Sequence, residues 1–135
     1  VLGANVLDRN PAYAYGKTAT AANAVIFRDC RDSTVTGLHV QGVHHVEAGV
    51  VLERCDRMNF TGCTLLDNDG VGLLLKDVTR SRITECLIRD DRDGAASLAL
   101  RAVGCRANVI ANNTFGRPTE IENVDGRTEG NWGPA

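Results

Sequence analysis

A largely apolar triplet with spacing three then two occurs five times in this chain, and it constrains the fold more than any other feature. It stands at Leu2-Asn5-Leu7, Val35-Leu38-Val40, Phe60-Cys63-Leu65, Ile83-Cys86-Ile88 and Ile110-Asn113-Phe115. The first members lie 33, 25, 23 and 27 residues apart. Four triplets are preceded by an i, i+2 apolar pair: Val25/Phe27, Val50/Leu52, Leu73/Leu75 and Leu98/Leu100. That is the period of a strand, in which alternate side chains share a face. A further column, Cys30, Cys55, Val78 and Cys105, falls five residues before the triplet. Each unit therefore reads as three short strands separated by turns. A unit this small cannot bury its own apolar face, but stacked units share one continuous core.

The charged residues keep the same period. Arg28, Glu53 and Lys76 fall in one column, and Asp29, Arg54 and Asp77 in the next. Arg31 stands beside Asp56 and Asp32 beside Arg57. Signs alternate from coil to coil, as stacked strands require when like charges directly opposed are unfavourable. The repeat thus preserves what stacking needs and lets the other positions drift.

Composition narrows the options further. With 43% hydrophobic but only 4% aromatic residues, the core must be built from Val, Ile, Leu and small side chains. A net charge of −2 argues against a nucleic-acid partner, which needs a basic face. No apolar run approaches the roughly 18 residues of a membrane span. Five cysteines, none in a C-x-x-C pair, suit neither a disulfide framework nor a zinc cluster. They fall in the ladder columns and are expected to be reduced, buried core fillers.

The coils "FTGCTLLDNDGVGLLLKDV" and "ITECLIRDDRDGAASLALRAV", with the near-terminal "VIANNTF" and the polar "GNWGP", resemble the right-handed parallel β-helix, pectate-lyase-like family. The expected fold is an all-β, right-handed single-stranded parallel β-helix of about four to five coils. A leucine-rich repeat is partly mimicked by "FTGCTLLDN" and "LGANVLDRN", but the rest of each unit lacks Leu at helical spacing. The resemblance implies a carbohydrate-associated protein, extracellular or at the cell surface, and leaves its activity open, because this architecture hosts lyases, hydrolases, epimerases and inert spikes. The alternative function is a structural spacer or assembly module without enzymatic activity. The paired-Asp, Gly-His-Gly and Arg-Ile-Lys motifs of polygalacturonase-like hydrolases are not found. Neither are the Asp-Pro-His-Glu of mannuronan epimerases or the Arg-x-Pro-x-x-Arg of pectate lyases.

Chemistry is expected in the connections from the third strand of one coil to the first strand of the next. These carry "DRNPAYAYGKTATAANA", "QGVHHVEAG", "LDNDGVG" and "RDDRDGAAS", and stacking brings them to one flank. Loops on a rigid scaffold are where function concentrates. A polysaccharide groove there would use the ring faces of Tyr13 and Tyr15, with His44, Glu47, Asp67 and Asp93 as further contacts. His45, Asp69 and Asp91 are the candidate catalytic residues, since glycoside hydrolysis uses paired carboxylates. Several carboxylates in one place would also suit Ca²⁺. The same Asn-Asp-Gly and Asp-Gly sequences serve equally as ordinary turns.

The expected coils are 1–22, 23–48, 49–71, 72–97 and 98–122, with a polar exit tail over 123–135. After Phe115 the chain turns polar and Gly-rich, and there "TEIENV" is expected to add one last strand and Trp132 to lie over the final coil. Leu2-Asn5-Leu7 reads as the third strand of a coil lacking its first two. The N-terminal end is therefore expected to be covered by upstream chain or by another subunit, as in the C-terminal portion of a longer β-helix.

Overall fold

The computed structural model describes residues 5–7, 25–44 and 46–134. Over these residues the chain winds as a parallel solenoid in which each coil contributes one strand to each of three sheets. β1 (Asn5–Leu7) enters in the third sheet. The next coil is β2 (Val25–Arg28), β3 (Thr34–Thr36) and β4 (His39–Gln41). It is followed by β5 (Ala48–Glu53), β6 (Asn59–Thr61) and β7 (Thr64–Leu66). Then come β8 (Val71–Lys76), β9 (Arg82–Thr84) and β10 (Leu87–Arg89). β11 (Leu98–Arg106), β12 (Val109–Ala111) and β13 (Thr114–Phe115) form the next coil, and β14 (Thr119–Val124) and β15 (Arg127–Glu129) begin the last. The first sheet is β2-β5-β8-β11-β14, the second β3-β6-β9-β12-β15, and the third β1-β4-β7-β10-β13.

Most of the predicted columns are observed registers. Val25, Val50, Leu73 and Leu100 are successive partners in the first sheet. Val35, Phe60, Ile83 and Ile110 align in the second, and Val40, Leu65, Ile88 and Phe115 in the third. Nearly all of these side chains are buried in one core that runs the length of the stack. Each fully buried aliphatic or Phe side chain contributes about 1.5–3 kcal/mol. Two registers differ from expectation. Leu100 and Ala102, not Leu98 and Leu100, face Leu73 and Leu75, while Leu98 faces Val71. In β1, Val6, not Leu7, faces Val40, and Leu7 faces Gln41. The chain there reads apolar at both phases, and a one-residue slip exchanges the two faces.

Cys55, Cys63, Cys86 and Cys105 are buried and Cys30 is half-buried, all as free thiols. The Cys63 sulfur and burial together push the Cys86 thiol up, and burial raises Cys55 and Cys105. Thiols held in this way are inert.

The sharp corners use left-handed backbone. Gly37, Gly62 and Gly130 take positive φ at the second corner, and Glu85 and Asn112 adopt the same conformation in the intervening coils. Behind that corner stands a buried amide ladder. Asn113 Oδ1 accepts from Cys86 N at 2.9 Å, and its Nδ2 donates to Ile83 O at 3.0 Å. Asn108 does the same one corner earlier, accepting from Ser81 N and donating to Val78 O. These side chains satisfy backbone groups that the turns leave without a strand partner. Within the segment expected to be a polar exit, β15 pairs with β12 and Trp132 bridges to Thr114, so strand pairing continues to residue 132.

Candidate functional site

Successive turns after the first sheet, residues 29–33, 54–58 and 77–81, stack with matched charges. Arg54 Nε donates to Asp29 Oδ1 at 2.7 Å, Arg57 pairs with Asp32, and Arg80 grips Asp56 through two bonds at 2.6 and 2.8 Å. These arginines pull Asp29, Asp32 and Asp56 below the ordinary carboxylate range. The groups neutralise one another in place.

The connections from the third sheet to the first behave differently. Residues 42–47, 67–70 and 90–97 vary in length, and the longest of them reaches back over its neighbours. Arg92 donates through Nε and Nη2 to Asp90 at 2.8 and 2.7 Å, and through Nη1 to Asp69 at 2.8 Å. His44 Nδ1 lies 3.4 Å from both Asp69 Oδ1 and Arg92 Nη1. One guanidinium thus joins three successive loops. Behind it the Asp90 side chain is only 4% exposed and also accepts from Ser97 Oγ at 2.6 Å. Burial would raise the Asp90 pKa, but Arg92 and Ser97 hold it down to about 2. Arg117, from the following connection, fastens the loop by donating to Asp90 O at 2.6 Å and Arg92 O at 2.9 Å.

In front of this network lies a trough of about 440 Å³, lined by Asp69, Arg92, Asp93 and the small residues Gly94, Ala95 and Ala96. Its size falls within the ~300–1,000 Å³ usual for ligand sites. Gly94 has positive φ, and a Cβ there would meet no atom within 4 Å. The wall is therefore open because its side chains are short. Gly70, which also lines the trough, has positive φ, and a Cβ there would strike Glu47 O at 2.2 Å. This position closes the loop only as glycine.

The structure sorts the sequence-predicted residues. His44 and Asp69 come together, and Asp69 and Asp93 line the trough. Asp91 instead pairs with Arg89 at 2.8 Å, and its backbone N–H donates to Asp67 Oδ1 at 3.1 Å. Arg89 lowers the Asp91 pKa. Glu47 pairs with Lys76 at 3.3 Å, toward the outer face of the first sheet. Tyr13, Tyr15 and His45 lie outside the described residues. The residues that organise the site, Arg92, Asp90, Ser97 and Arg117, were not singled out from sequence. The alternating string Arg89-Asp90-Asp91-Arg92-Asp93 was the available signal, because adjacent opposite charges in one loop pair locally. Among the described residues no group of three or more His, Cys, Asp or Glu side chains is placed to hold a metal ion.

The family model for the right handed beta helix region matches residues 8–128, and the chain belongs to that family. No curated protein and no solved structure matches it.

Proposed function

We propose that this β-helix is a carbohydrate-binding segment whose trough takes a stretch of polysaccharide across the stacked loops. The observation that carries the reading is Arg92, which locks His44, Asp69 and Asp90 of three loops into one polar wall beside an open, small-residue cavity. Sugars are recognised by fixed, convergent donors and acceptors, and a network in which each group is held by another supplies them at little entropic cost. The wall supports binding rather than acid catalysis. A glycosidase acid must keep its proton near neutral pH through a raised pKa, whereas Asp90 and Asp91 are both lowered by arginines.

Isothermal titration with neutral and uronate oligosaccharides tests this reading. The parent chain should bind at least one of them. Ala95→Trp, which fills the trough without touching its polar wall, should abolish that binding and leave the melting temperature nearly unchanged. If the parent binds none, or if the filled variant binds as the parent does, the trough is an ordinary stack of turns and the spacer function takes its place.

A further inference from the structure

The C-terminal mouth of the solenoid holds a second cavity that the trough does not use. In the last coil polar residues take over inward columns. Thr119 follows Leu100, Asn123 follows Cys105, and Thr128 follows Ile110. The end is not fully polar, however. Phe115, Ile121 and Trp132, together with Thr119, Thr128 and Asn131, surround a cavity of about 220 Å³. Trp132 is the chain's single tryptophan. At 67% exposure it is the one exposed aromatic among the described residues.

The polar groups of the cavity differ in availability. Asn131 is committed: its Oδ1 accepts from Asn113 N at 3.0 Å, and its Nδ2 donates to Ile110 O at 2.9 Å. The Thr119 and Thr128 hydroxyls make no side-chain hydrogen bond to the described residues. No charged side chain lines the cavity. An apolar floor, an exposed indole and two available hydroxyls, with no fixed charge, match the chemistry of a neutral pyranose. Such a ring has an apolar C–H face for the aromatic and a hydroxyl rim for the threonines. Covering the Thr119 and Thr128 hydroxyls with an apolar surface would leave them buried without partners, which is unfavourable.

We propose that the mouth is a binding site for a neutral saccharide unit, gripped by Trp132 with Thr119 and Thr128, and separate from the trough. It stands whether or not the trough binds. Because Trp132 is the only tryptophan, its emission reports on this site alone.

The experiment titrates the full chain with maltohexaose, cellohexaose and mannohexaose while following tryptophan fluorescence, with calorimetry in parallel for the variants. The expected result is a saturable emission change with at least one of the three, independent of protein concentration. Thr119→Val with Thr128→Val should weaken that affinity roughly tenfold or more, the joint worth of two hydrogen bonds. Trp132→Ala should remove the matching heat. An emission that no hexasaccharide alters overturns the proposal. So does an emission that shifts with protein concentration alone, alongside a dimer in ultracentrifugation, because a second copy would then occupy the mouth. Calorimetric binding that survives Trp132→Ala unchanged overturns it as well.

Discussion

Turns 29–33, 54–58 and 77–81 have one length in three successive coils, and their arginines and aspartates pair coil to coil on an exposed surface. Connections 42–47, 67–70 and 90–97 differ in length, and their pairs converge on a carboxylate that is nearly buried. The first flank spends its charges on register; the second uses them to hold an open space. Like-for-like ion pairs therefore should not be equal in energy. An exposed pair contributes about 0–1 kcal/mol, whereas removing the partner of a buried charge costs roughly 3–5 kcal/mol.

The largest expected effect follows from that contrast. Arg92→Ala leaves Asp90 without its main partner and should destabilise the chain by about 3 kcal/mol in urea unfolding. A loss under about 1 kcal/mol would show that the two flanks are energetically alike.

The acid limb of stability should sharpen the comparison. Asp90 is depressed from 3.8 to about 2 in the folded chain. Its contribution of about 2 kcal/mol is fully present above pH 4 and is lost as pH falls through 4 toward 2. Chemical unfolding at a series of pH values should show a shallower acid slope in Asp90→Asn than in the parent. Equal slopes would place the acid sensitivity in the exposed ladder instead.

Corner geometry should matter at a smaller scale. Glu85 holds φ +57° at a corner where Gly37, Gly62 and Gly130 stand in other coils. Its side chain makes no hydrogen bond or ion pair within the described residues. Glu85→Gly should therefore stabilise the chain by up to about 1 kcal/mol through relief of the left-handed strain, readable as a higher melting temperature. The smallest effect is expected on the ladder: Arg54→Ala should move the urea midpoint least of these variants, and added salt should erase part of that difference.

How legible these features were in the sequence depended on how many coils repeat them. The columns through Val35, Phe60, Ile83 and Ile110 could be read because four coils carry the same apolar position. The phase of β1 could not, since Val6 and Leu7 are both apolar and only the pairing with β4 separates them. The ladder was readable because charge sign repeats with the coil. The trough was half readable. Loop stacking brought His44, Asp69 and Asp93 to one flank, but which carboxylate turns inward depends on the bend of one unique loop. Asp90 rather than Asp91 is buried because Arg92, Ser97 and Arg117 close around it, and no other coil repeats that arrangement.

Hydrogen–deuterium exchange with and without a bound oligosaccharide tests most directly whether the two flanks divide the work as described. The expected result is slowed exchange confined to residues 67–70 and 90–97 and, where the mouth is filled, 119–132, with 54–58 and 77–81 unchanged. Protection on the charge-ladder turns, with 67–70 and 90–97 exchanging as in the free chain, would contradict the assignment of function to the trough flank.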